Sequence, residues 1–134
     1  MKKCGLISAG LLYGGSFLML EGCASVSYFP YSEENNLLVI KKSNFVKEKY
    51  GLIGHKNLPA PIYITKLENN KYSAVLLRCT HKGCEVSPAG DLLICPCHGS
   101  VYSNTGEVLQ PPADKDLYHF SIKTDSDNIY INVE

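Results

Sequence analysis

An all-β domain is predicted for this chain of 134 residues by three observations. Short runs rich in Ile, Val, Leu and Tyr recur at residues 37–41, 62–67, 72–77, 117–123 and 128–133, and the last two alternate apolar with polar residues. Turn-forming clusters separate them, with Glu68-Asn69-Asn70-Lys71 after the second run and Thr124-Asp125-Ser126-Asp127 after the fourth. No stretch sustains a long helical period, and no internal repeat is evident.

From the N-terminus, Lys2 and Lys3 precede an uncharged, mostly apolar stretch at 5–20, the layout of a secretory signal. The stretch is short for a membrane-spanning helix, which wants about 20 residues. Its ending, Leu20-Glu21-Gly22-Cys23, resembles a bacterial lipoprotein signal, which implies that Cys23 is lipidated and becomes the mature N-terminus. An uncleaved anchor helix is the alternative, and either tethers the chain to the outer side of a membrane. Residues 1–22 are thus read as signal or anchor, 23–36, polar and aromatic with Pro30, as a tether, and 37–134 as the domain. The alternative for the tether is a first strand packed on that domain.

Residues 37–41 form a short apolar strand. Residues 44–59 mix charges with Gly51 and Gly54 and read as a loop with one helical turn. The runs at 62–67 and 72–77 are two strands around the Asn-rich turn. Short strands at 91–94 and 100–102 flank a cysteine box, and 117–123 pairs with 128–133 across the Asp-rich turn.

The chemistry sits between these strands. Cys79-Thr80-His81-Lys82-Gly83-Cys84 is followed by Cys95-Pro96-Cys97-His98-Gly99-Ser100. Each box offers one Cys and one His at short spacing, and each carries one further Cys. Thiolate with imidazole suits either zinc or an iron–sulfur cluster in which two His replace two Cys on one iron. A single zinc would take Cys79, His81, Cys95 and His98 tetrahedrally and leave Cys84 and Cys97 without a role. Gly83 and Gly99 let the backbone come close to a cluster. His55 and His119 have no ligand-spaced neighbours and read as ordinary core or surface residues.

The two boxes resemble those of the high-potential Rieske proteins of cytochrome bc complexes, over roughly residues 76–134. The resemblance implies stacked antiparallel sheets with a cluster-binding subdomain, about 78–113, inserted in a base domain. It implies one 2Fe-2S cluster held by Cys79, His81, Cys95 and His98, and a Cys84–Cys97 disulfide. It also implies that the hydroxyls of Ser100 and Tyr102 hydrogen-bond sulfur and raise the potential, and that Pro111, Pro112 and Ala113 form the proline loop covering the cluster. The loop between the boxes is shorter than in the respiratory proteins, Ser103 stands where Asp is common, and Pro111 where Gly is frequent.

Cysteine usage agrees with an oxidising compartment. Of six cysteines, Cys4 lies in the signal, Cys23 is the lipid site, and the other four belong to the boxes. The 13 basic and 13 acidic residues balance, and removing 1–22 leaves 11 and 12. No basic stripe argues for nucleic acid. The expected function is electron transfer, as the redox subunit of a membrane quinol oxidoreductase of the bc type or a related periplasmic oxidoreductase, and not as an enzyme alone. Its partners would be quinol, cytochrome b or cytochrome c. A free-standing, lipid-tethered electron carrier is the alternative from another class, and a zinc-stabilised binding module a third. The expected location is a bacterial cell envelope, with the domain on the periplasmic side.

Overall fold

The computed structural model describes residues 25–134; the signal and Cys23 lie outside them. Among the described residues, eleven strands form three antiparallel sheets. The first sheet contains β1 (Ser32–Glu34), β2 (Leu37–Lys41), β10 (Ile122–Thr124) and β11 (Asn128–Asn132), in the order β1-β2-β11-β10. The second contains β3 (Tyr50–Ile53), β4 (Ile62–Lys66) and β5 (Tyr72–Leu76). The third contains β6 (Ser87–Ala89), β7 (Leu92–Ile94), β8 (Val101–Ser103) and β9 (Val108–Gln110).

The second sheet carries apolar side chains on both faces. From one, Ile53, Ile62, Ile64 and Ala74 pack with Leu38, Ile40, Ile129 and Ile131 of the first sheet. The registers Leu38↔Ile131 and Ile40↔Ile129 place those buried residues directly opposite one another on β2 and β11. From the other face, Leu52, Tyr63 and Val75 pack with Leu93 and Tyr102 of the third sheet and with Cys79 and Cys95. Strand β4 is accordingly buried from Ile62 to Thr65, with no polar-out alternation.

The stretch read as a tether departs from that reading. Ser27 O accepts from Leu52 N at 2.9 Å and Phe29 N donates to Leu52 O at 2.8 Å, which seats the chain beside β3. Phe29 is buried and meets Phe45 edge-on, with ring centroids 5.0 Å apart. A Cβ on Gly51 would lie 2.5 Å from the Phe29 ring, so glycine is what admits the ring there. Residues 32–34 then form β1, turned into β2 by Asn35 and Asn36, both at positive φ as a two-residue hairpin loop of this hand requires.

Other differences are local. The loop read at 44–59 contains strand β3, preceded by a 3-10 turn at Lys42–Val46. Within 117–123 only the end belongs to β10. The earlier part runs beside β5 instead, through Leu76 N to Tyr118 O at 2.9 Å and Phe120 N to Ala74 O at 3.0 Å. Strands β6 and β9 were not foreseen. Among the described residues no helix is long and apolar enough to cross a membrane.

Because Phe29 is buried against Gly51, Phe29→Ala is expected to lower stability by about 3 kcal/mol, measured by urea unfolding. An unchanged midpoint would mean that residues before β1 contribute nothing to the domain.

Candidate metal centre

Both cysteine boxes fold into the same backbone loop. In the first, Gly83 N donates to Cys79 O at 2.8 Å and Cys79 N donates to Cys84 O at 2.8 Å. In the second, Gly99 N donates to Cys95 O at 3.1 Å and Cys95 N to Ser100 O at 2.9 Å. Each is thus an α-turn closed by a second bond one residue further on. Gly83 and Gly99 have φ of 80° and 81°, the left-handed region where glycine alone carries no steric cost. In side-chain identity this local repeat shows only as Cys at the first position and Gly at the fifth, because His occupies the third position of the first loop and the fourth of the second.

The loops are clamped by a Cys84–Cys97 disulfide, S–S 2.03 Å. Cys79 and Cys95 are buried free thiols between them. The sulfurs of Cys84, Cys95 and Cys97 lie within 4.8 Å of one another. That trio is not a ligand set, since two of its members are joined to each other. The rings of His81 and His98 meet edge-on with centroids 5.0 Å apart. His81 Nδ1 is sealed from solvent with no hydrogen-bond partner, whereas His98 is exposed. A buried, unpartnered ring nitrogen beside two buried thiols is the polar vacancy that a metal bond satisfies. The site therefore offers two sulfur and two nitrogen donors.

The surroundings favour negative charge on one sulfur. Burial pushes the Cys79 thiol up, but hydrogen bonds from Tyr102, the His81 backbone, Cys95 and Ser100 outweigh it and hold it below its ordinary value. Burial pushes Cys95 up, and its Cys79 neighbour adds to that. The Tyr102 hydroxyl, also raised by burial and by the adjacent sulfur, lies 3.3 Å from Cys79 Sγ.

Two contacts of these hydroxyls were not foreseen. Thr80 N donates to Tyr102 Oη at 3.2 Å, and Thr80 Oγ1 lies 3.1 Å from it. Thr80 Oγ1 also donates to Lys115 O at 2.7 Å. With that proton committed, Thr80 Oγ1 competes with Cys79 Sγ for the single Tyr102 proton. Ser100 is fully buried, and its Oγ accepts from Ala113 N at 2.9 Å. The bond ties the segment Pro111-Pro112-Ala113, which contains a cis Pro111–Pro112 peptide, to the second loop. No sequence signal at Thr80 distinguishes this role from that of an ordinary loop residue.

His55 and His119 stand apart. His55 is buried, with Nε2 3.5 Å from Glu33 Oε2, and His119 is exposed beside β5.

The Rieske 2Fe-2S domain family matches residues 35–121. Cytochrome b6-f complex iron-sulfur subunit 1 of Nostoc sp. is 35% identical over 92 residues, 67% of this chain and 51% of that protein. The cytochrome b6-f complex iron-sulfur subunit of Prochlorococcus marinus is 39% identical over 56 residues, covering 40% of this chain and 32% of the relative. The chain thus spans between about a third and about half the length of these curated relatives. In the crystal structure of the cyanobacterial plasma membrane Rieske protein of Synechocystis PCC 6803, 93% of that chain matches 68% of this one, at TM-score 0.59 and 28% identity. Naphthalene 1,2-dioxygenase shares the fold at TM-score 0.60 and 16% identity, over 26% of its chain. With the match covering both boxes, strand β2 and the whole of the second and third sheets, the chain belongs to the Rieske 2Fe-2S domain family, an all-β electron-transfer domain built around one 2Fe-2S cluster.

Proposed function

We propose that Cys79 and Cys95 bind one iron of the cluster and His81 and His98 the other, and that the domain is the redox subunit of a membrane quinol oxidoreductase of the bc or b6-f type. The observation that carries the ligand assignment is the matched pair of loops, which turn two thiols and two imidazoles together under one disulfide. The b6-f subunits among its relatives support the complex. On that reading the partners are quinol and the cytochromes b and c of such an assembly.

When bound, the cluster holds one electron, and its imidazole ligands make it a readier acceptor than an all-thiolate cluster. Each protein group has its own task. The disulfide fixes the separation of the loops. Tyr102 lends its proton to Cys79 Sγ, offsetting negative charge on sulfur. Ser100 accepts from Ala113 through one lone pair, which leaves its own hydroxyl proton free for sulfur. The segment 111–113, held by that bond, shields the second loop from water.

A second reading has an observation of its own. The Leu20-Glu21-Gly22-Cys23 ending favours a free-standing carrier, tethered through Cys23 and passing electrons between proteins. Both readings place the domain outside the membrane in an oxidising compartment, as its disulfide favours.

Protein purified from its native host is expected to contain two irons and two sulfides, with a Rieske electron paramagnetic resonance signal when reduced. His98→Ala should lose that signal. Stoichiometric zinc without iron would overturn the ligand assignment.

Ser100→Ala and Tyr102→Phe are each expected to keep the cluster and lower its potential. One hydrogen bond is worth about 1 kcal/mol, which for one electron corresponds to about 40 mV. Redox titration of both variants checks this, and parental potentials would remove the two hydroxyls from the site.

Mass spectrometry of the membrane-bound protein should show a chain beginning at a lipid-modified Cys23. An intact chain from Met1 with unmodified Cys23 would favour the anchor helix.

A further inference from the structure

Beside His81 the surface sinks into a groove of about 490 Å³, separate from the segment that covers the second loop. Arg78, His81 and Lys82 line it together with Leu76 and Tyr118. Each wall is held in place. A Cβ on Gly83 would meet Arg78 Nε at 3.2 Å, so the guanidinium lies across the space that glycine leaves. The Tyr118 carbonyl is bonded to Leu76 N, and its ring meets Phe120 edge-on with centroids 5.0 Å apart. Tyr118 is nevertheless 56% exposed. The Thr80–Lys115 bond holds the first loop to the segment leading into Tyr118.

Neither cation of the groove is held in an ion pair. Among the described residues the one ion pair is His55 with Glu33, so no carboxylate lies within pairing distance of Arg78 or Lys82. This holds although Glu85 pairs with Arg78 through the backbone. The rest of the chain is close to neutral, so the two cations form a local field and not a share of a general one. An exposed Tyr and an Arg at a rim, both pre-positioned, are the residue types that carry interface energy. The surface is concave, which admits a protruding acidic edge and not the plane of a lipid headgroup layer.

We propose that this groove docks the acidic rim of a redox protein, with carboxylates at Arg78 and Lys82 and an apolar or aromatic contact at Tyr118. The proposal rests on the reading of the chain as an electron carrier and names the kind of partner that meets it at His81. In the transfer itself one electron leaves the reduced protein and converts a partner's ferric haem iron to ferrous, with no bond made or broken.

Stopped-flow oxidation of the reduced holoprotein by an acidic soluble cytochrome c tests this, with a basic cytochrome c alongside. The rate constant with the acidic protein should fall as salt rises. Arg78→Gln with Lys82→Gln should lower it by about tenfold at low salt and flatten its salt dependence. The resonance spectrum should be unchanged, and oxidation by the basic protein no slower. Calorimetric titration of the two oxidised proteins should show the same loss of affinity, a readout that needs no electron transfer. Lys41→Gln with Lys123→Gln removes equal charge elsewhere and should change neither. Tyr118→Ala should lower affinity while keeping the salt slope.

Equal effects of the two double variants would overturn the groove as the site, as would a salt-independent rate. So would loss of binding to phosphatidylglycerol vesicles in the Arg78/Lys82 variant with unchanged cytochrome rates. Failure to reduce either cytochrome, with a normal resonance signal, would instead count against the carrier reading itself.

Discussion

Everything in this domain hangs on a sheet with no outside. Strand β4 sends Ile62 and Ile64 into the core shared with the first sheet and Tyr63 into the core beneath the metal centre. Most antiparallel strands wet one face; here solvent is excluded from both, and Tyr63 is pushed up to about 12 by that burial. The consequence is mechanical. The loops bearing Cys79 and Cys95 rest on side chains whose positions are fixed by packing on the opposite side of the same strands.

On that support, two loops of equal backbone geometry present unequal side chains. The shift of His from third to fourth position gives the pair its distinct faces, with His81 partly covered and His98 exposed. It also frees the third position of the second loop for Cys97, which reaches Cys84 at the end of the first. One substitution pattern on one turn therefore yields both the donor set and its clamp. The two hydroxyl groups follow directly on the second loop, Ser100 at its closing bond and Tyr102 in β8.

Much of this was legible. The boxes carry metal-competent residues at spacings few other purposes demand, and strands β2, β4, β5 and β11 announce themselves by Ile, Val and Leu content. Part of what was hidden shares a cause: the residues serve a partner distant in sequence. Gly51 weakens β3 as a strand, yet it is there to receive Phe29. Phe29 itself sits in a polar stretch that resembles a linker until that contact is known. Strands β6 and β9 are three residues long, and β6 contains Pro88, so neither has room to show alternation. Asn35-Asn36 was the one missed signal that local rules contained, since two adjacent Asn between short strands favour a positive-φ hairpin loop. The role of Thr80 depends on Tyr102 and Lys115, more than twenty residues away along the chain.

The docking of Ser27 and Phe29 against Leu52 also sets a leash length. If the membrane attachment is at Cys23, four residue steps separate it from the first fixed point of the domain. A fully extended chain gains at most about 3.6 Å per residue, so the domain is moored within about 14 Å of its anchor. A boat on so short a line does not sail between berths. Electron exchange would then depend on partners that come to the domain, or that are built around it, and not on the domain swinging across a wide gap to find them.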